Sequence, residues 1–127
     1  MRLALFLGAW AMAASAQGIV KGKLDEIGMD RDGRKIYRCL LVTPTTTRTI
    51  TVGIQPATQA MEIDLGRDEF QISGFAARSF DPKKRDAHYY LTNGFYPYHY
   101  RFTLSLFDDG KKARFMLVED ANQFVCE

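Results

Sequence analysis

Few side chains in this chain could do chemistry. His88 and His99 are its two histidines, and Cys39 and Cys126 its two cysteines, among 127 residues. An imidazole works as a base only with a hydroxyl, thiol or carboxylate beside it. Ser105 falls in the same alternating run as His99, Arg101 and Thr103, which makes His99 the candidate base of a small hydrolase. No strand–turn nucleophile motif surrounds any serine, and no glycine-rich phosphate loop is present. Two cysteines and two histidines without close ligand spacing predict no metal site, and no motif calls for a cofactor. Met29-Asp30-Arg31-Asp32-Gly33 has the opening of a calcium loop, but Arg34 puts a cation where an oxygen ligand belongs. The segment reads instead as a hairpin turn.

The most unusual stretch runs from His88 to Phe102. It holds Tyr89, Tyr90, Phe95, Tyr96, Tyr98 and Tyr100 between its ends. Two readings follow. Tyr98, Tyr100, Phe102, Leu104 and Leu106 share one face of a period-two strand and supply core. Alternatively Phe95, Tyr96 and Tyr98, next to Asn93-Gly94, present large stiff rings to a partner. The basic run Lys83-Lys84-Arg85 is diluted by Asp81 and Asp86. It reads as part of an exposed loop over 78–86, with Lys84 a candidate contact for an acidic partner.

The beginning of the chain is an address. Arg2 precedes an apolar run from Leu3 to Ala14, and Ala14-Ser15-Ala16 supplies a small-x-small cleavage site. That is the pattern of a secretory signal peptide over 1–16, too short for a membrane span. No cysteine follows at once, so a lipid anchor is not expected. Residues 17–127 then form a single domain, exported to a periplasm or the exterior, with no membrane span. In such a compartment an even cysteine count predicts one bridge, Cys39–Cys126, closing a loop of 87 residues. Chain entropy assigns that closure about 4–5 kcal/mol. A composition of 46% hydrophobic residues excludes a disordered chain, and a net charge of +2 gives no reason to expect nucleic-acid binding.

The elements that must position these residues are strands. Ile50, Val52 and Ile54 alternate with polar neighbours, as do Met61, Ile63 and Leu65, and Phe70, Ile72 and Phe75 follow with Ser73-Gly74 between them. Ile36–Val42 is nearly continuously apolar and predicts a strand covered on both sides, with Ala113–Val118 similar. Asp32-Gly33 and Asp109-Gly110 predict tight hairpins. Turns recurring every 8–12 residues or so point to an all-β fold, an antiparallel β-sandwich or small β-barrel of about eight strands. The alternative is an OB-fold with one short helix near 56–65, started by Pro56. The last stretch, Glu119 to Cys126, resembles the approach to the second cysteine of an immunoglobulin variable-type domain. Phe124 has no hydroxyl for the tyrosine corner, however, and no final strand follows, so no family is assigned.

These observations together predict a small exported protein-binding module, of inhibitor or immunity type, contacting its partner through Phe95, Tyr96, Tyr98 and Lys84. The alternatives are a small secreted hydrolase using His99 and a β-barrel ligand carrier with an aromatic-lined interior.

Overall fold

The computed structural model describes residues 18–66, 71–93, 99–119 and 121–127. The signal-peptide segment 1–16 and the candidate contacts Phe95, Tyr96 and Tyr98 lie outside the described residues. Ten strands follow in chain order: β1 Ile19–Met29, β2 Lys35–Val42, β3 Thr47–Gln55, β4 Ala60–Asp64, β5 Gln71–Phe75, β6 Ala77–Asp81, β7 Asp86–Asn93, β8 Tyr100–Phe107, β9 Lys112–Glu119 and β10 Asn122–Cys126. They form one sheet in the order β5-β4-β3-β2-β1-β10-β9-β8-β7-β6, nearly closed into a barrel.

The fold is therefore all-β, as the alternating patterns predict. It has more strands than expected because the polar segment after Ala76 is an edge strand. Arg78–Asp81 pairs with β7, and only residues 82–85 form a turn. An edge strand tolerates polar residues, which hides it from a hydrophobic pattern. No helix starts at Pro56. Residues 56–59 are a turn with Gln59 at φ 66°, and Met61 and Ile63 point inward from β4 while Glu62 points out. Among the described residues no helix is long and apolar enough to cross a membrane.

One strand serves two layers, and this is how the sheet folds over. The first half of β1 pairs parallel with β10, Ile19 to Gln123 through Gly22 to Cys126. Its second half pairs antiparallel with β2, Lys23 to Leu40 onward. An all-antiparallel sheet was expected; the single parallel pairing arises because the chain returns to its own start. At the far corner β5 runs into β6 through Ala76, β5 pairing with β4 and β6 with β7. Gln59 pins this corner: its carbonyl accepts from the Ala76 N–H at 2.9 Å, and its Nε2 donates to the Ala76 carbonyl at 2.7 Å. Gly74 lets the layers meet there, since a Cβ at that position would lie 2.9 Å from Cδ1 of Leu91. We call β2–β5 with the second half of β1 layer one, and the rest layer two.

The interior is filled. Tyr37, Ile50, Val52, Ile54, Met61, Ile63 and Leu65 face it from layer one, and Tyr100, Phe102, Leu104, Phe115 and Leu117 from layer two. Phe102 stacks on Tyr100 and Phe115 at centroid distances of 6.0 and 6.3 Å. Burying one such side chain contributes on the order of 2–3 kcal/mol. The core reading of the Tyr100–Leu106 face thus holds. The prediction for β2 does not: Tyr37, Cys39 and Leu41 are buried, but Leu40 and Val42 are exposed. Nothing in the described structure covers the outer side of this strand, and its apolar run overstated the burial. The Cys39–Cys126 disulfide joins β2 to β10 across the switch in β1. It bridges the two layers where they share a strand.

Candidate functional site

The outer face of layer two carries a groove with a volume of about 440 Å3. Strand register builds it row by row. Thr92, Arg101, Val118 and Gln123 stand side by side on β7, β8, β9 and β10, with Ile19 of β1 beyond. Tyr90, Thr103, Met116 and Val125 form the next row, ending on Lys21 of β1. His88, Ser105 and Arg114 form a third. Tyr90 and Arg101 are exposed, and Met116, Val118 and Gln123 are half-buried. Phe102 closes the floor from the inside.

This surface lies beside the predicted aromatic contact in the chain. β7 ends at Asn93 and β8 begins at Tyr100, so Phe95, Tyr96 and Tyr98 belong to the connection between two groove strands. Lys84 is elsewhere. It sits exposed in the β6–β7 turn, at the opposite end of the eight-residue β7. At about 3.3 Å per residue, β7 is roughly 26 Å long. Lys84 is not among the residues that line the groove. Its turn is tied to the β8–β9 turn instead. Arg85 Nε is 2.6 Å from Asp109 Oδ2, and the Asp108 N–H donates to Asp86 Oδ1 at 2.9 Å. The hydrogen bond from Arg85 holds the Asp109 carboxyl below its ordinary range.

The histidines part ways. His99 is exposed, immediately before β8, and among the described residues no hydroxyl or carboxylate bonds to it. His88 is the imidazole that meets a serine: its Nδ1 lies 2.8 Å from Ser105 Oγ across β7 and β8. Ser105 is 3% exposed. Phe107 packs edge-on against the His88 ring at 5.7 Å and lies under the Arg114 guanidinium at 5.2 Å. A hydroxyl shut away in this manner is satisfied rather than presented for attack, and no described carboxylate orients the ring.

On the other side of the molecule, Arg34 lies across the outer face of layer one. It pairs with Asp30 at 2.8 Å, with Asp32 at 3.5 Å and with Glu62. A smaller hollow of about 210 Å3 opens beside it, lined by Thr51, Asp64 and Gln71 among others. Asp30 is committed to its turn. Its Oδ1 accepts from the N–H groups of Asp32 and Arg34, both at 2.9 Å, and this bonding, led by the Arg34 N–H, lowers its pKa. The turn reading of 29–33 thus holds, with Gly33 at φ 80°. Among the described residues no cluster of acids, histidines or cysteines is placed to hold a metal ion.

Type and spacing bring out Tyr90, Arg101, Phe102 and Thr103 only in other roles, and mark neither Thr92 nor Gln123. One signal was available. β9 carries apolar residues on both faces, Phe115 and Leu117 inward, Met116 and Val118 outward. A strand with one face in a full core has no structural need for the second set. No protein-family model, no curated protein and no solved structure matches this chain.

Proposed function

We propose that this chain is an exported, disulfide-locked module that binds a protein partner through the outer face of layer two. The observation that carries this reading is the groove itself, lying on strands whose connection holds Phe95, Tyr96 and Tyr98. Tyrosine, methionine and arginine are the residue types enriched at protein interfaces, and Tyr90, Met116 and Arg101 supply one of each. The filled interior supports a surface function over a carrier, since Tyr37, Phe102 and Phe115 occupy the space a ligand would need. The disulfide and the leader pattern support export. Lys84 does not line the groove and is left out of the contact.

The test is capture of a partner from the native compartment by immobilised oxidised protein. Phe95→Ala with Tyr96→Ala, and separately Tyr90→Ala, are expected to abolish capture and leave the melting temperature within a degree or two. Capture that survives both changes overturns the reading. A sharp fall in melting for the Phe95/Tyr96 pair would place those rings in the core instead.

A further inference from the structure

We propose that this chain pairs with a second copy of itself, β6 against β6, antiparallel about Ser79. The surface lies apart from the groove and does not depend on the contact described above. β6 bonds to β7 on one side only, and four of its five residues are exposed. Ala76, just before it, bonds to Gln59 on the other side, through both its N–H and its carbonyl. Backbone groups alternate sides along a strand, so those of Arg78 and Phe80 point the same way as those of Ala76. Past Gln59 no described residue bonds to them. Unspent donors and acceptors in a row are a template for another strand.

β1 has an open edge too, over Asp25–Met29, where β10 has ended. That edge is guarded by a bulge at Ile27 and by the charges of Asp25 and Glu26. β6 has no bulge. Its one cation, Arg78, lies flat, with the guanidinium 5.0 Å over the Phe80 ring and 5.9 Å over Tyr89.

The strand is complementary to itself. A twofold axis at Ser79 sets Arg78 of each copy opposite Phe80 of the other, and their free N–H and carbonyl groups face one another. The Arg–Phe stacking found within β6 is then repeated across the axis. Ser79 meets Ser79, small side chains at the point of closest approach, and Ala77 meets Asp81, so no like charges oppose. The register also ends itself. One step further, Pro82 has no N–H to donate, and it faces Ala76, whose groups Gln59 already holds. On the outer face Ala77 stands beside Tyr90 and Ser79 beside His88. Pairing therefore carries the outer face of layer two from one copy into the next and puts both grooves on one sheet.

Five residues a side bury less than a stable interface needs, so the dimer is weak: monomer at about 10 µM and largely dimer at about 1 mM. Sedimentation of the oxidised protein over that range reads it. The amides of Arg78 and Phe80 should gain exchange protection with concentration, while that of Ser79, which faces β7, should not. Ser79→Lys and Ser79→Glu, each alone, set like charges on the axis and should weaken the dimer about fivefold or more. An equimolar mixture of the two should restore association to at least the wild-type level. Ser79 is exposed, so both variants keep the fold, and unchanged melting curves confirm it. A protein still monomeric at about 1 mM overturns the proposal. So does a mixture that associates no better than either variant alone, or a dimer that Tyr90→Ala abolishes and the Ser79 variants leave intact.

Discussion

Arg48 and Glu119 close one end of the barrel together. The Nη2 of Arg48, on β3, lies 3.0 Å from Oε2 of Glu119, at the end of β9, and their side chains are only 14% and 7% exposed. Arg48 Nε also donates to the Leu65 carbonyl at 2.8 Å, and the guanidinium lies 5.3 Å over the Phe124 ring. One side chain thus ties β3, the end of β4 and β10 to β9, across both layers. Removing one partner strands a buried charge. Glu119→Gln or Arg48→Met alone is expected to cost about 3–5 kcal/mol, read by chemical denaturation. The double replacement Arg48→Met with Glu119→Leu should recover most of that loss. Equal losses in single and double variants would show that the pair itself, not the orphaned charge, carries the stability.

The disulfide makes a second expectation. Reduction of Cys39–Cys126 releases an 87-residue loop and frees β10 at the seam between layers. A loss of about 3–5 kcal/mol is expected on adding reductant, with the closing strand the first to lose amide-exchange protection. Unchanged denaturation midpoints with and without reductant would contradict it.

Tyr37 sets the alkaline limit. Its ring is 2% exposed and its hydroxyl has no hydrogen-bond partner. Burial, then the charge of Glu26 and the nearby Tyr89, push its pKa up to about 12 from 10. The folded state therefore keeps a proton that the unfolded state gives up. Full stability holds below about pH 10 and is lost progressively toward pH 12, by roughly 2–3 kcal/mol from this group. Tyr37→Phe removes that pH dependence and leaves neutral-pH stability unchanged or up to about 1 kcal/mol higher, because no bond is broken. A destabilised Tyr37→Phe would reveal a partner for the hydroxyl.

Gly66 permits one turn and no substitute. Its φ is 72°, and a Cβ there would lie 1.9 Å from the Thr49 carbonyl oxygen. Gly66→Ala is expected to cost several kcal/mol or to prevent folding, since the clash is with backbone. A Gly66→Ala variant with wild-type melting would mean that this turn adopts another path.

What could be read from the residues follows from the range of the physics. Period-two burial is local, so Met61/Ile63 and Phe102/Leu104/Leu106 announce their strands and their inward faces. Turn chemistry is local too, and Asp32-Gly33 and Asp109-Gly110 sit in the hairpins expected of them. The cysteine pairing was legible because only one pairing exists. The ion pair of Arg48 and Glu119, 71 residues apart, has no local signature. The sharing of β1 between two layers has none either. The groove assembles from one to three residues on each of four strands, so only the surplus apolar side chains of β9 hinted at it. His88 rather than His99 meets Ser105 because the register of β7 on β8, not sequence proximity, selects the neighbour.

The parallel pairing of β1 with β10 bears on when this protein becomes itself. Ile19–Gly22 wait for residues 123–126, a hundred positions on, before their hydrogen-bonding edge is complete. A chain without that segment leaves both β1 and β9 with open edges, so the two layers close against each other only when β10 is in place.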